Sequence, residues 1–343
     1  MSSPRRRLCA SSGFPFGGTF SEMNWLLFAL VPAAILVLLA FATLMVARRI
    51  ERSEPPTGSF VEIDGSRVHF HELGSPAKDP RHAFLLLHGA NLDSRDMRMA
   101  LGAQLAALGR VIVPDRPGQG YTPCAGPSAL VPLEQARLMR DLLRAKGVER
   151  VTLVGHSLGG FIALCFAMSY GDEVDRVILV NPATHPRPGE LLWYQKLAAL
   201  LFGPIAAFTF VTPMSLLVNA AFVRRLFAPE SAPTSYATRS GLALGMTSLR
   251  FLASMREYAG LRDELLRAEP SYPRISTPTL IVSGAEDRIV PMNLHGARIA
   301  AILPHARLVE IEHGGHMLHH AHAAEIVASI EATGPSLRSA SAI

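Results

Sequence analysis

The chain has 343 residues, enough for one large α/β domain or two modest ones. Apolar residues make up 49% and charged residues 18%, so the chain buries a great deal or meets lipid. The net charge of +5 does not spell nucleic acid: up to Thr57 six arginines face three glutamates, and the remainder has no basic stripe with interleaved aromatics. Cys9, Cys124 and Cys165 are odd in number and far apart, which excludes a disulfide framework and a cysteine zinc site.

Residues 1–22 read as an unstructured tail, and Met23 offers an alternative start. From Trp25 to Ala47 the chain runs without a charge. At about 1.5 Å rise per residue this stretch exceeds a hydrocarbon core of roughly 30 Å. It is longer than a signal-peptide apolar region and ends at Arg48-Arg49, so residues 23–50 are expected to be a retained single-pass anchor of an inner-membrane type. Arg48, Arg49 and Arg52 would hold the following body on the cytoplasmic side, with Arg5, Arg6 and Arg7 pulling the other way from further off. Residues 51–59, polar and proline-containing, read as a tether.

From residue 60 short aliphatic runs alternate with helical stretches. "FVEIDG" and "SRVHFHELG" alternate around Asp64-Gly65 and predict a hairpin. "AFLLLHG" (83–89), "RVIVPDRPG" (110–118), "RVTLVGHS" (150–157), "VDRVILVNP" (174–182), "TPTLIVSG" (277–284) and "ARLVEIEHGGH" (306–316) follow, with helical segments such as 132–146 and 159–170. That pattern predicts a parallel sheet covered on both faces, with the functional residues beyond the carboxyl ends of its strands.

"VTLVGHSLGGFIAL" is such a place: a strand, then Gly155-His156-Ser157-Leu158-Gly159, then an apolar helix. Gly155 and Gly159 allow a turn too sharp for Cβ atoms, and it holds Ser157 in a backbone conformation costing about 1–3 kcal/mol. Such strain makes sense when the hydroxyl is used. A serine hydroxyl needs a base and the base needs an orienting acid. Asp287 follows a strand end in "IVSGAEDRIVP", with Glu286 beside it as a rival. His316 lies in the glycine-flanked loop "IEHGGHMLHH". His313, His319, His320 and His322 crowd the same stretch, but no cysteine or nearby acidic residue in sequence completes a zinc cage, so no metal is expected. His319, His320 and His322 read as ordinary helix residues near the mouth of the site, His313 as a loop residue, and His156 as a packing residue of the turn.

Through "LLLHG", "DRPGQG", "GHSLGG" and the pair "GAEDRIVP"/"GGH", residues 60–333 resemble a serine α/β-hydrolase of the large esterase/lipase-like group. The resemblance implies a mostly parallel eight-stranded sheet with helices on both faces, and a helical cap at about 184–270. It implies Ser157 as nucleophile, His316 as base and then acid, and Asp287 as the orienting carboxylate. An oxyanion hole would come from the N–H groups of Leu158 and of Ala90, with Asn91 as the neighbouring alternative. No cofactor is implied. Within the cap, Leu197 to Val223 carries no charge; a second span would separate strands that share one sheet, so an apolar cap at the membrane is expected. The reading is a membrane-anchored hydrolase of carboxylic esters, with lipophilic acyl esters such as monoacylglycerols as substrates. A thioesterase, an amidase, a C–C hydrolase or a cofactor-free perhydrolase could use the same triad, and a non-catalytic binding protein could use the same fold. Residues 334–343 read as a flexible tail.

Overall fold

The computed structural model describes residues 19–75, 79–186 and 202–333. The terminal tails expected at 1–22 and 334–343 lie outside these residues, except that 19–22 already belong to a helix. All eight strands foreseen from the aliphatic runs are present: β1 (Ser59–Ile63), β2 (Ser66–Leu73), β3 (His82–Leu87), β4 (Val111–Pro114), β5 (Arg150–His156), β6 (Val174–Val180), β7 (Thr279–Gly284) and β8 (Ala306–Ile311). They form one sheet in the order β1-β2-β4-β3-β5-β6-β7-β8. β2 runs antiparallel to β1 and β4, and every other pairing is parallel.

Asp64 and Gly65 form the two-residue turn between β1 and β2, with φ of 49° and 74°. Positive φ at both positions matches the right-handed twist of the flanking strands, and Asp-Gly tolerates it cheaply. In the central strands alternate residues serve opposite faces. Leu85, Leu87 and Leu153 pack with the helices Pro132–Ala145 and Leu158–Tyr170. Phe84, Leu86 and Val154 pack with Leu105 and Ile326 of the helices Ala103–Leu108 and Ala323–Ala332. A sheet buried on both faces explains why these strands read as continuous aliphatic runs.

The uncharged N-terminal stretch lies in one helix, Thr19–Ser53, longer at both ends than the expected span. Its exposed apolar part ends where the helix docks on the body. Thr43 and Ile50 are buried, and the Thr43 hydroxyl donates to the Thr209 carbonyl. The stretch expected as a tether is itself pinned: Arg250 donates to Glu51 at 2.8 Å, Arg95 to Glu54 at 2.7 Å, and the Tyr121 hydroxyl to the Glu54 carbonyl. Between β6 and β7 come the helices Thr212–Phe227 and Ser248–Ala268, and Val223, Leu226, Phe227 and Tyr236 make a small separate core with Leu92 and Met317 of the loops after β3 and β8.

Candidate active site

Ser157 stands between β5 and the helix Leu158–Tyr170 with φ 53° and ψ −118°. Its N–H donates to the Val180 carbonyl and its carbonyl accepts from Gly160 and Ala183, so the turn is fixed by main-chain bonds on both sides. A Cβ on Gly155 would lie 2.4 Å from the Gly159 carbonyl oxygen, and one on Gly159 would lie 2.2 Å from that of Leu87. The need for glycine at both places is therefore steric.

His316 and Asp287 arrive from the loops after β8 and β7. The His316 Nδ1 and Asp287 Oδ2 are 2.7 Å apart, and both residues are buried. The other carboxylate oxygen of Asp287 accepts from the N–H groups of Ile289 and Val290, each at 2.8 Å. With both oxygens bonded, the carboxylate is held in one orientation and keeps the proton of His316 on Nδ1, leaving Nε2 as a proton acceptor. Glu286, the rival, points elsewhere and meets only the exposed His313, at 3.2 Å.

Ser157 and His316 line one cavity of about 150 Å³, shared with Ala90, Asn91, Phe222, Leu226, Tyr258 and Ile289. Among the described lining residues there is no lysine or arginine. A larger groove of about 460 Å³, between Val131, Phe161, Arg267 and Arg274, contains none of the residues proposed from sequence.

The loop carrying Ala90 is set from behind. The Gly89 carbonyl accepts from Arg116 Nη2 at 3.1 Å and from His88 Nδ1 at 2.8 Å. Because a trans peptide points its C=O and N–H in opposite directions, these bonds aim the Ala90 N–H away from Arg116. Arg116 also donates to the His88 carbonyl, Gln135 and Glu257, and is fully buried. The Leu158 N–H, at the first position of its helix, has no acceptor within the helix.

Two groups were not evident in sequence. Asn181, buried with φ 43°, donates from Nδ2 to the carbonyls of Gly315 at 2.8 Å and His316 at 3.0 Å, and its Oδ1 accepts from the Gly284 N–H. It thereby ties the ends of β6 and β7 to the loop of His316. The only signal was an asparagine directly after a strand, a residue that tolerates the left-handed region. The second group corrects the reading of the histidines. His319 does not sit at the mouth of the site but is fully buried, and it has an acidic partner far away in sequence. Asp96 Oδ2 accepts from His319 Nε2 and Oδ1 from His320 Nε2, each at 2.8 Å, and the Tyr236 hydroxyl donates to Oδ1 at 3.1 Å. Asp96, His156 and His319 bring one potential ligand atom each within 4.8 Å of one another, the one such group among the described residues. The carboxylate is already met by three donors. Burial alone would raise the Asp96 carboxyl, but the two histidines hold it well below its ordinary range. Burial keeps His156 well below the ordinary imidazole value and brings His319 down to about 4, so both are neutral. The expectation for His156 agrees with its contacts: its Nε2 donates to the His316 carbonyl at 3.0 Å.

This arrangement of sheet and turn is that of an α/β hydrolase. The family model for the alpha/beta hydrolase fold matches residues 82–323, and the chain belongs to that family. It is similar to a 2-hydroxy-6-oxo-6-phenylhexa-2,4-dienoate hydrolase from Burkholderia cepacia, 26% identical over 298 residues covering 80% of this chain and 94% of the relative. In fold it resembles an esterase from Exiguobacterium antarcticum (TM-score 0.64, 22% identity, 81% of this chain and 99% of that one). It likewise resembles a structure described as a membrane phospholipase A, a bacterial virulence factor (TM-score 0.60, 22% identity, 91% and 96%).

Proposed function

We propose that the chain is a membrane-anchored serine hydrolase that cleaves neutral, lipophilic carboxylic esters. The observation that carries this reading is a strained serine sharing a cavity with a histidine whose far nitrogen is bound to a buried carboxylate. In the proposed cycle His316 Nε2 takes the proton of Ser157 as Oγ attacks the ester carbonyl. The Leu158 and Ala90 N–H groups hold the oxyanion, a contribution of about 2.7–4 kcal/mol for each donor in comparable sites. His316 then returns the proton to the leaving alcohol, and water repeats the steps on the acyl-enzyme to release the acid.

Two observations favour a neutral ester. The described cavity lining holds no cation to receive a substrate carboxylate, unlike what a dienoate such as that named for the Burkholderia relative would call for. Phe222 and Leu226, from the segment we assign as cap, supply apolar surface for an acyl chain. The anchor reading rests on the Thr19–Ser53 helix, which is long and apolar enough to cross a bilayer. Its buried contacts through Thr43 and Ile50 favour retention over removal as a signal.

Labelling of the full-length chain with a fluorophosphonate probe, followed by hydrolysis of esters of increasing acyl length, tests the proposal. Modification of Ser157, lost in Ser157→Ala, with turnover rising beyond short acyl chains, is the expected result. A chain that binds no probe and hydrolyses no ester in detergent or lipid would overturn it.

A further inference from the structure

The helix Thr212–Phe227 and the π-helical turn Ala207–Val211 before it present an apolar face to the outside. Phe210, Met214, Leu217 and Val218 recur at the spacing of one helix face, and Leu217 is 78% exposed. Together with residues from Phe202 on, this is the second helix in the described residues long and apolar enough to cross a membrane. It cannot be a simple span, because β6 before it and β7 after it pair side by side in one sheet.

Its depth is set by the N-terminal helix. The turn Ala207–Val211 packs against that helix, and the Thr43–Thr209 bond fixes the level of contact. Thr43 lies five residues before Arg48, so about 7–8 Å along the helix axis on the apolar side of the first charges. An anchor that spans a bilayer with Arg48, Arg49 and Arg52 at the headgroups therefore carries Thr209 and its neighbours below the headgroup level. That depth matches the roughly 5–10 Å at which amphipathic helices lie in an interface. Arg224 and Arg225, both exposed in the last turn of the same helix, add cationic groups suited to anionic headgroups. From Phe210 the face continues along the helix to Phe222 and Leu226, which line the cavity of Ser157.

We infer that the helix Thr212–Phe227 lies in the leaflet interface at a depth fixed by the anchor, and that acyl esters pass from the leaflet along it, past Phe222 and Leu226, to Ser157. This rests on the ester-hydrolase and anchor readings and adds to them a partner surface and a route. The anchor is then a depth gauge for the cap as well as an attachment.

The test uses the full-length chain in vesicles of phosphatidylcholine and phosphatidylglycerol. It compares a water-soluble butyrate ester with a long-chain monoacylglycerol held in the bilayer. Phe210→Asp with Leu217→Asp, which leaves the anchor intact, is expected to lower turnover of the bilayer ester about tenfold or more while changing that of the soluble ester less than about twofold. Unchanged turnover of the bilayer ester, or an equal loss on both esters, overturns the route. Leu217→Trp gives a reading independent of activity: lipids brominated near the top of the acyl chain should quench the added fluorescence. If they do not, or if this face is covered by a second copy that the double substitution releases as monomer, the interfacial placement is wrong. Absence of turnover on both esters in the parent chain would instead sink the ester-hydrolase reading, with the quenching still reporting depth.

Discussion

Arg116 donates from Nη2 to the Gly89 carbonyl at 3.1 Å, while its other nitrogens reach the His88 carbonyl, Gln135 and Glu257. One planar guanidinium thus fixes the peptide whose N–H we assign to the oxyanion hole, and it does so from a buried ion pair with the helix Ser248–Ala268. Lysine keeps the charge but not the fork of fixed donors. Arg116→Lys is therefore expected to lower kcat by about tenfold to a hundredfold with little change in KM, because the donor matters most when the oxyanion forms. The rate of fluorophosphonate modification of Ser157 should fall in parallel. A variant with unchanged kcat and labelling rate would show that the Gly89–Ala90 peptide holds its direction without Arg116.

The two adjacent acidic residues make a sharper contrast. Asp287→Asn leaves the shape of the loop but gives His316 Nδ1 a neutral partner that stabilises neither the right tautomer nor the imidazolium. If Asp287 orients His316 as proposed, a loss in kcat of up to about ten-thousandfold is expected, as in known Ser-His-Asp triads. Glu286→Gln loses only an exposed contact with His313 and should stay within about twofold of the parent. Steady-state kinetics on one short ester, with circular dichroism to confirm folding, separates the two. Comparable losses in both variants would mean that the acid has been misassigned.

The sheet was legible because each central strand is buried on both faces and therefore reads as an aliphatic run; the turn at Ser157 was legible because sterics demand Gly155 and Gly159. Position in the chain alone did not separate Asp287 from Glu286, and only the resemblance favoured Asp287; the physical difference is the main-chain turn that gives the Ile289 and Val290 N–H groups to Asp287. Asp96 was invisible as a partner of His319 because the two lie 223 positions apart in the chain. Arg116 stood inside a recognised segment, but its direction toward the Gly89 carbonyl follows only from tertiary packing. The N-terminal helix was read correctly as apolar and long, whereas its docking on Thr209 depends on a neutral hydroxyl that carries no sequence signal.

Glycines at two positions should respond in opposite senses. At Gly159 an added Cβ would meet the Leu87 and His88 carbonyl oxygens at 2.2 and 2.7 Å, main-chain atoms that cannot yield without moving the sheet. Gly159→Ala should cost several kcal/mol, about 3 or more, and abolish activity. Gly260 is exposed within the helix Ser248–Ala268, with no heavy atom near its absent Cβ. Gly260→Ala should therefore stabilise the chain by about 0.5–1 kcal/mol without changing kcat. Denaturant unfolding in detergent measures both. A destabilised Gly260→Ala would mean that the helix surface at this position is covered.

Acid should weaken the fold through its buried neutral histidines. Burial, and for His88 the Arg116 charge, lowers His88 to about 3, while burial brings His319 to about 4, both from an ordinary 6.5. In this range the unfolded chain binds protons that the folded chain refuses, so stability is complete above about pH 6.5 and falls as the pH drops toward 4. Each of the two histidines contributes a slope approaching about 1.4 kcal/mol per pH unit once the pH is well below 6.5. Asp96 acts in the same sense at lower pH: its carboxyl is held below the ordinary 3.8, so the stability it adds is lost as the pH falls through and below that value. Urea unfolding between neutral pH and about pH 5 should show this slope. His319→Gln, which keeps an amide donor for Asp96 but removes a titrating ring, should flatten it by up to about 1.4 kcal/mol per pH unit. An unchanged slope in that variant would mean that His319 takes up a proton in the folded chain, and that it pairs with Asp96 as an imidazolium.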